Sequence, residues 1–352
     1  MHFDIGPESV MKIAIFLPNW LGDLVMATPA LRAIRRHYGA GAHLVGILRP
    51  YLSDVLTGTD WLDEQWHFNP HGKDRSQRGW AVACRMRAEQ FDMAVFLTNS
   101  LRTAMVAWLG RATERIGYVR YGRGPLLTGK LYPRRMGHQL VAMPMVETYL
   151  EIARALGCDE ETPRLELATV DADERSADTV FEHLGLRADN RVIALNSSGA
   201  YGAAKLWPVE YFGELARRIV DRLDHDVLVV CGPKEREIAR EVVRLAGCPR
   251  VFSMAEQPMD FGTAKACIRR CSLMVSTDSG PRHVAAAFGL PVVTLFGPML
   301  PIWSENPTQR AINLVLDLDC IGCHKRACPL GHHRCMRDLS VDMVFAAVNQ
   351  LL

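Results

Sequence analysis

Residues 271–298, CSLMVSTDSGPRHVAAAFGLPVVTLFGP, decide how this chain is read. Ser272 to Thr277 is a short apolar run ending in turn formers. Pro281 suits the first position of a helix, and Gly289 with Pro291 stops that helix before a β-branched run, Val292 to Phe296. The pattern predicts a β-α-β unit. Its TDSG loop is small and polar, so backbone N–H groups at the helix N-terminus stand open to an anion such as a diphosphate. Asp278, Ser279 and Gly280 are therefore candidate anion-binding residues, with His283 on the same rim. The plainer reading is a capped turn with no ligand. The uncharged stretch Val284–Trp303 has the length of a bilayer span. Gly289, Pro291, Gly297, Pro298 and Pro301 break it, which favours a soluble core.

Around this unit, 352 residues suit two domains rather than one. Hydrophobic residues make up 49%, charged residues 23%, and the net charge is +2, a balance that fits a soluble globular protein and gives no reason to expect a nucleic-acid partner. The N-terminus MHFDIGPESV lacks a basic-then-apolar leader pattern, so a cytoplasmic protein is expected.

In the first half, residues 1–10 read as an extension and KIAIFL, Lys12 to Leu17, as the first strand. Apolar residues at Leu24, Met26, Ala27, Leu31 and Ile34 then recur at helical spacing. Asp23 falls at the turn into that helix. It reads either as a cap or as a carboxylate at the carboxyl end of the first strand, where open α/β sheets place ligands. Further runs predict a helix over Tyr51–Thr57, one over Arg75–Gln90, a strand over Met93–Thr98 and a helix over Leu101–Leu109. Such alternation is the signature of an α/β, doubly wound, mostly parallel sheet. Residues 111–138 show little periodicity and carry seven Lys or Arg against one acid, Glu114. They are expected to form a long basic loop in which Arg120 and Arg123 face a phosphorylated or carboxylated partner. The basic stretch Lys73–Arg87 extends the same character, and a helix over Gln139–Leu156 closes the half.

Polar, acidic composition near residues 162–175 marks a linker, dividing the chain into domains 11–172 and 173–338 followed by a C-terminal helix over 339–352. The second half repeats the alternation. Its strand Val192–Asn196 is followed by SSGAYGAAKLWP, a second small polar loop containing Ser197 and Ser198, with Lys205 able to neutralise a diphosphate as a point charge. A third loop, CGPKERE with Glu235, ends the next strand in the same way. Three such loops at one sheet edge point to nucleotide binding. Neither half carries G-x-G-x-x-G after its first strand, which disfavours a dinucleotide oxidoreductase.

Cys320, Cys323, Cys328 and Cys335, spaced C-x2-C-x4-C-x6-C among three histidines, are close enough in sequence for a structural zinc or an iron-sulfur cluster. Reduced thiols and a local disulfide are the other readings.

NWLGDLVMATPALRAIR, GAYGAAKLWP and DSGPRHVAAAFGLPVVTLFGP together resemble the bacterial glycosyltransferase family 9, the ADP-heptose:lipopolysaccharide heptosyltransferases. TNSLRTAMVAWLG with RIGYVRYGRGPLLT resembles their heptosyltransferase II branch. The resemblance implies a GT-B fold of two facing Rossmann-like domains and an inverting transfer of heptose from ADP-L-glycero-D-manno-heptose to the inner core, with no metal needed for catalysis. It implies Asp23 as the base. It also implies that Lys205, the Ser279 and Gly280 amides, and His283 stabilise the leaving diphosphate, with Asp278, Ser197, Ser198 and Glu235 as further donor contacts. An anionic lipopolysaccharide acceptor implies peripheral association with the inner face of the inner membrane. Another nucleotide sugar or acceptor, or a non-catalytic nucleotide- or metal-binding protein on this scaffold, are the alternatives.

Overall fold

The computed structural model describes residues 10–137, 139–187, 189–197, 199, 201–258 and 260–352, and the chain divides into two compact units, Met1–Pro163 and Arg164–Leu352. The first unit runs β1 (Met11–Phe16), α1 (Leu21–Met26), α2 (Thr28–Tyr38), β2 (Ala42–Leu48), β3 (Glu64–His67), α3 (Gly79–Glu89), β4 (Met93–Phe96), α4 (Leu101–Leu109), β5 (Glu114–Tyr118), β6 (Gly129–Leu131), the small hairpin β7 (Arg135–Met136) and β8 (Gln139–Leu140), and α5 (Met145–Ala155). The second runs α6 (Asp171–Leu184), β9 (Val192–Asn196), α7 (Val209–Leu223), β10 (Asp226–Val230), α8 (Arg236–Ala246), β11 (Val251–Ser253), α9 (Phe261–Arg269), β12 (Leu273–Thr277), α10 (Gly280–Ala287), β13 (Val292–Phe296), β14 (Ala311–Val315), α11 (Arg334–Arg337) and α12 (Val341–Leu351).

Both units hold a parallel six-stranded sheet with the same order. In the first it is β3-β2-β1-β4-β5-β6, and in the second β11-β10-β9-β12-β13-β14. Each order reverses direction beside its first strand, between β1 and β4 and between β9 and β12, which opens a crevice at the carboxyl ends of those strands. The expectation of two doubly wound, Rossmann-like α/β units is therefore met in each unit.

The central strands are continuous apolar runs because helices cover both faces of a parallel sheet. VIALN of β9, LMVST of β12 and VVTLF of β13 are buried at every position. Truncating Val275 or Val293 to Ala would cost about 1–3 kcal/mol from lost burial and an incompletely closed cavity. In the first unit Phe16 and Phe96, paired in register across β1 and β4, stack with ring centres 5.2 Å apart.

The boundary falls earlier than composition suggests. Arg32 donates to Thr162 O and Arg36 pairs with Glu161, holding the chain on α2 up to residue 162. The acidic DADERSAD stretch is no linker. It is the first half of α6, where Asp173 meets Lys265, and Glu174 meets Arg269 and Arg270 of the α9 region.

The helix expected over 51–57 is a 3-10 helix, Pro50–Leu56. Two local expectations are corrected. α5 starts at Met145, with Pro144 at its N-cap, rather than at residue 139. The segment 111–138 is no free loop: β5 and β6 within it complete the first sheet. Its pattern is hidden because β6 has three residues and β5 is only half-buried along most of its length.

Candidate functional site

The carboxyl ends of β9 and β12 meet at the switch point of the second sheet, with Asn196 in register beside Ser276. Asn196 Nδ2 donates to Ser276 Oγ at 2.9 Å and to Ser279 Oγ at 2.7 Å, which fixes the turn between β12 and α10 to the end of β9. Asn196 and Ser197 are buried, and Asn196 Oδ1 and Ser197 Oγ have no hydrogen-bond partner among the described residues. Unmatched buried polar atoms carry a desolvation cost that a bound ligand can remove. Ser198 lies outside the described residues.

On that turn the charges converge. Lys205 Nζ donates to Asp278 Oδ2 at 2.6 Å and to Asp278 O at 2.8 Å, and it lies 5.0 Å from the Tyr201 ring centre. The Lys205 and Asp278 side chains are only 11% and 14% exposed. Asp278 Oδ1 also lies 3.4 Å from Arg282 Nε, a charge contact that is too poorly aligned to be a hydrogen bond. Arg282 is buried. Its Nη1 donates to Thr294 Oγ1 at 3.2 Å, its guanidinium sits over Phe296, and its Nε and Nη2 lack hydrogen-bond acceptors among the described residues. Burial lowers its pKa while Asp278 opposes the shift. One carboxylate thus faces two cations, leaving the cluster with an unneutralised positive charge beside a helix N-terminus. That is an arrangement that favours an anion.

His283, in the first turn of α10, is buried. Burial, then Arg282 and Lys205, hold its pKa well below the usual histidine range, so it stands as a neutral imidazole able to donate one N–H rather than as a cation. Glu235 lies at the end of β10, the neighbour of β9, and accepts from Gly232 N at 2.9 Å, closing its own turn ahead of α8. The structure therefore brings Ser197, Lys205, Asp278, Ser279, Gly280 and His283 to one sheet edge, with Glu235 at the N-cap of α8 after the adjoining strand β10.

The cysteine segment packs on the Lys205 loop. Ala204 N donates to Arg326 O at 3.0 Å, Tyr201 Oη donates to His324 O at 2.8 Å, and His333 Nε2 lies 2.9 Å from Ala204 O. Gly202 permits this approach, since a Cβ there would stand 2.4 Å from Arg326 O. All ten cysteines are unbridged thiols. Among the described residues no group of three or more His, Cys, Asp or Glu side chains is arranged to hold a metal. The thiols instead differ from one another. Backbone N–H groups, first that of His333, lower the Cys328 pKa, whereas burial and then the other three thiols raise Cys335 to about 11.

In the first unit Asp23 occupies the first turn of α1, just past the end of β1 at that sheet's switch point. Its charge reaches two phenols. Burial and then Asp23 raise Tyr149, and burial with a smaller Asp23 contribution raises Tyr51. Arg120 lies over Tyr121, whose ring is exposed. Arg123 departs from its expected role. It is fully buried and donates to Thr98 O, Tyr118 O and Asn99 Oδ1, so it braces the loop from inside rather than facing a partner. Burial, then Arg120, pulls its pKa down to about 10.

Sequence reasoning missed Asn196 and Arg282. Asn196 was legible as a polar residue ending an apolar strand, and Arg282 as the one charge in a helix otherwise made of small and apolar residues and His283.

A sequence model of the family described as Glycosyltransferase family 9 (heptosyltransferase) matches residues 80–334. Lipooligosaccharide heptosyltransferase 2 of Campylobacter jejuni subsp. jejuni serotype O:6 is 26% identical over 353 residues, which cover 97% of this chain and 99% of the relative. Lipopolysaccharide heptosyltransferase 2 of Escherichia coli K12 is 24% identical over 354 residues, covering 97% and 99% respectively. The solved structure of E. coli ADP-heptose lps heptosyltransferase II superposes with a TM-score of 0.77 at 22% identity, covering 97% of this chain and 98% of that one, a likeness of fold. No helix among the described residues is long and apolar enough to cross a membrane.

Proposed function

The chain belongs to glycosyltransferase family 9, the heptosyltransferases, and on that premise we propose that it transfers heptose from ADP-L-glycero-D-manno-heptose to the lipopolysaccharide inner core with inversion at the anomeric carbon. The observation that carries the proposal is the Lys205–Asp278–Arg282 cluster beside the α10 N-terminus, with the unmatched Asn196 Oδ1 and Ser197 Oγ on the same sheet edge.

In this reading Lys205 turns from Asp278 to the donor's diphosphate, the Gly280 and neighbouring amides face its oxygens, and His283 donates one neutral N–H. Arg282 continues to balance Asp278, so that carboxylate does not repel the incoming anion. The acceptor hydroxyl oxygen attacks the anomeric carbon and gives its proton to the Asp23 carboxylate. The anomeric carbon–oxygen bond breaks, and ADP leaves with the electron pair. Its charge grows as the bond lengthens, so fixed donors and cations there stabilise the transition state more than the ground state. No cofactor is assigned to these steps. Arg120, at the rim of the first unit's basic segment, is proposed to meet acceptor carboxylates or phosphates. The protein is proposed to act in the cytoplasm at the inner membrane face.

Turnover of ADP-heptose with a core acceptor tests the reading, alongside calorimetry with ADP, UDP and GDP. Asp23→Asn is expected to lower transfer by about 10²–10⁴-fold, the range of a general base, and to leave ADP affinity nearly unchanged. Normal turnover in that variant removes Asp23 from its role, and a preference for UDP overturns the donor assignment.

A further inference from the structure

α4 is amphipathic in an unusual sense. Thr103, Ala104, Val106 and Ala107 are buried, but the opposite stripe is apolar as well: Leu101, Met105, Trp108 and Leu109 are 41%, 46%, 53% and 38% exposed. These positions follow an i, i+4, i+7, i+8 spacing and form one face. α3 lies against α4, with Gly79 facing Val106 and Gly110 facing Ala83 and Met86; a Cβ on Gly110 would come within 2.7 Å of Met86 Cβ. At the start of the neighbouring α3, Trp80 is a further exposed aromatic, with 71% of its surface open. Surfaces of this kind on a folded unit mark an interaction site.

The rim is mainly basic. Lys73, Arg75, Arg78, Arg87, Arg102 and Arg111 are all exposed. Of the acids on or beside α3, Asp74 accepts from Ser76 and Gln77 within its own turn, Glu89 at the end of α3 pairs with Lys12, and Glu64 of β3 pairs with Arg85. Arg102 Nη1 lies 3.0 Å from His71 Nε2, which ties the basic 71–78 segment to the start of α4.

We propose that this face of α3 and α4 docks on an anionic lipid bilayer. Tryptophan prefers the headgroup level, where its ring is buried and its N–H stays wet, and Leu and Met add apolar area below it. The arginine rim matches the negative surface potential of anionic phospholipids. A second copy of the chain fits less well, because a two-fold contact through this face would set the basic rim against itself. The proposal rests on the reading of a lipid-borne acceptor, for which the face would hold the enzyme where its substrate lies.

Co-sedimentation with phosphatidylcholine vesicles, with and without phosphatidylglycerol, tests it on the full chain. The parent protein is expected to bind the anionic vesicles, to release at high salt, and to show a blue shift of tryptophan emission. The pairs Trp80→Ser with Trp108→Ser, and Arg75→Glu with Arg87→Glu, are each expected to weaken partitioning by about 10-fold or more. Turnover on a delipidated core acceptor and the urea midpoint should stay at parent values. Parent-like vesicle binding by both pairs, or no binding by the parent, overturns the proposal and leaves the catalytic reading intact. So does a solution dimer that the tryptophan pair dissolves. Absence of transfer to the soluble acceptor by the parent sinks the catalytic reading independently of the vesicle result.

Discussion

Asp278 balances two cations in a setting with little water, so its removal should act through the charges it leaves behind. Asp278→Asn leaves the Arg282 guanidinium buried with Thr294 as its hydrogen-bond acceptor, and is expected to cost about 3 kcal/mol of stability in urea unfolding. Adding Arg282→Met should return a large part of that loss, since the uncompensated charge is then gone; a strictly additive double variant would show that the two side chains are not coupled. His283 gives a pH signature at the same scale. Its native pKa is depressed while the unfolded value is about 6.5, so the unfolded chain takes up a proton that the native site refuses. Stability should therefore fall as pH drops below about 6.5, and His283→Gln should flatten that slope in unfolding titrations. Lys205, Asp278 and His283 were legible as candidates because three small polar loops follow apolar strands in the same half. It could not show that Lys205 is held by Asp278, nor that Arg123 points inward, because both depend on contacts between segments distant in the chain.

Among the elements, α6 shows why composition misplaced the boundary. Its acidic residues read as linker, yet they meet the basic end of α9 and α9's buried Lys265. Burial alone would raise the Glu174 pKa, but hydrogen bonds from Arg269, Thr169 and Arg270 outweigh it and bring it to about 2. The carboxylate's contribution is present above the unfolded value of about 4.3 and lost as pH falls toward 2. Glu174→Gln is expected to lose about 1 kcal/mol at neutral pH and to converge with the parent in acid, as followed by denaturant midpoints at several pH values. The strands of both sheets were legible from apolar runs bounded by Gly and Pro. The short β6 was not, because three residues carry no period.

At the scale of the whole molecule, the same strand order occurs in both halves, and the residues assigned to the donor lie in the second. A fragment Arg164–Leu352 is therefore expected to bind ADP within a few-fold of the full chain and to transfer nothing. Starting the fragment at 173 would delete Val170, Asp171 and Ala172, the N-cap and first two residues of α6, and should lower its thermal midpoint; equal midpoints would place the boundary later than Pro163. Family and fold were legible across the chain because motifs from both halves agreed. The apolar face of α3 and α4 was not, since Leu, Met and Trp at helical spacing read as core until their exposure is seen.

The contact between the Lys205 loop and the cysteine segment also orders events during synthesis. Tyr201 and His324 are separated by 123 positions, and at about 5–20 residues per second the second arrives on the order of 6–25 seconds after the first. Until then the loop lacks the surface that Gly202 is shaped to meet. A nascent chain can thus complete its first sheet, and make the strands of its second, before the Lys205 loop has its last support.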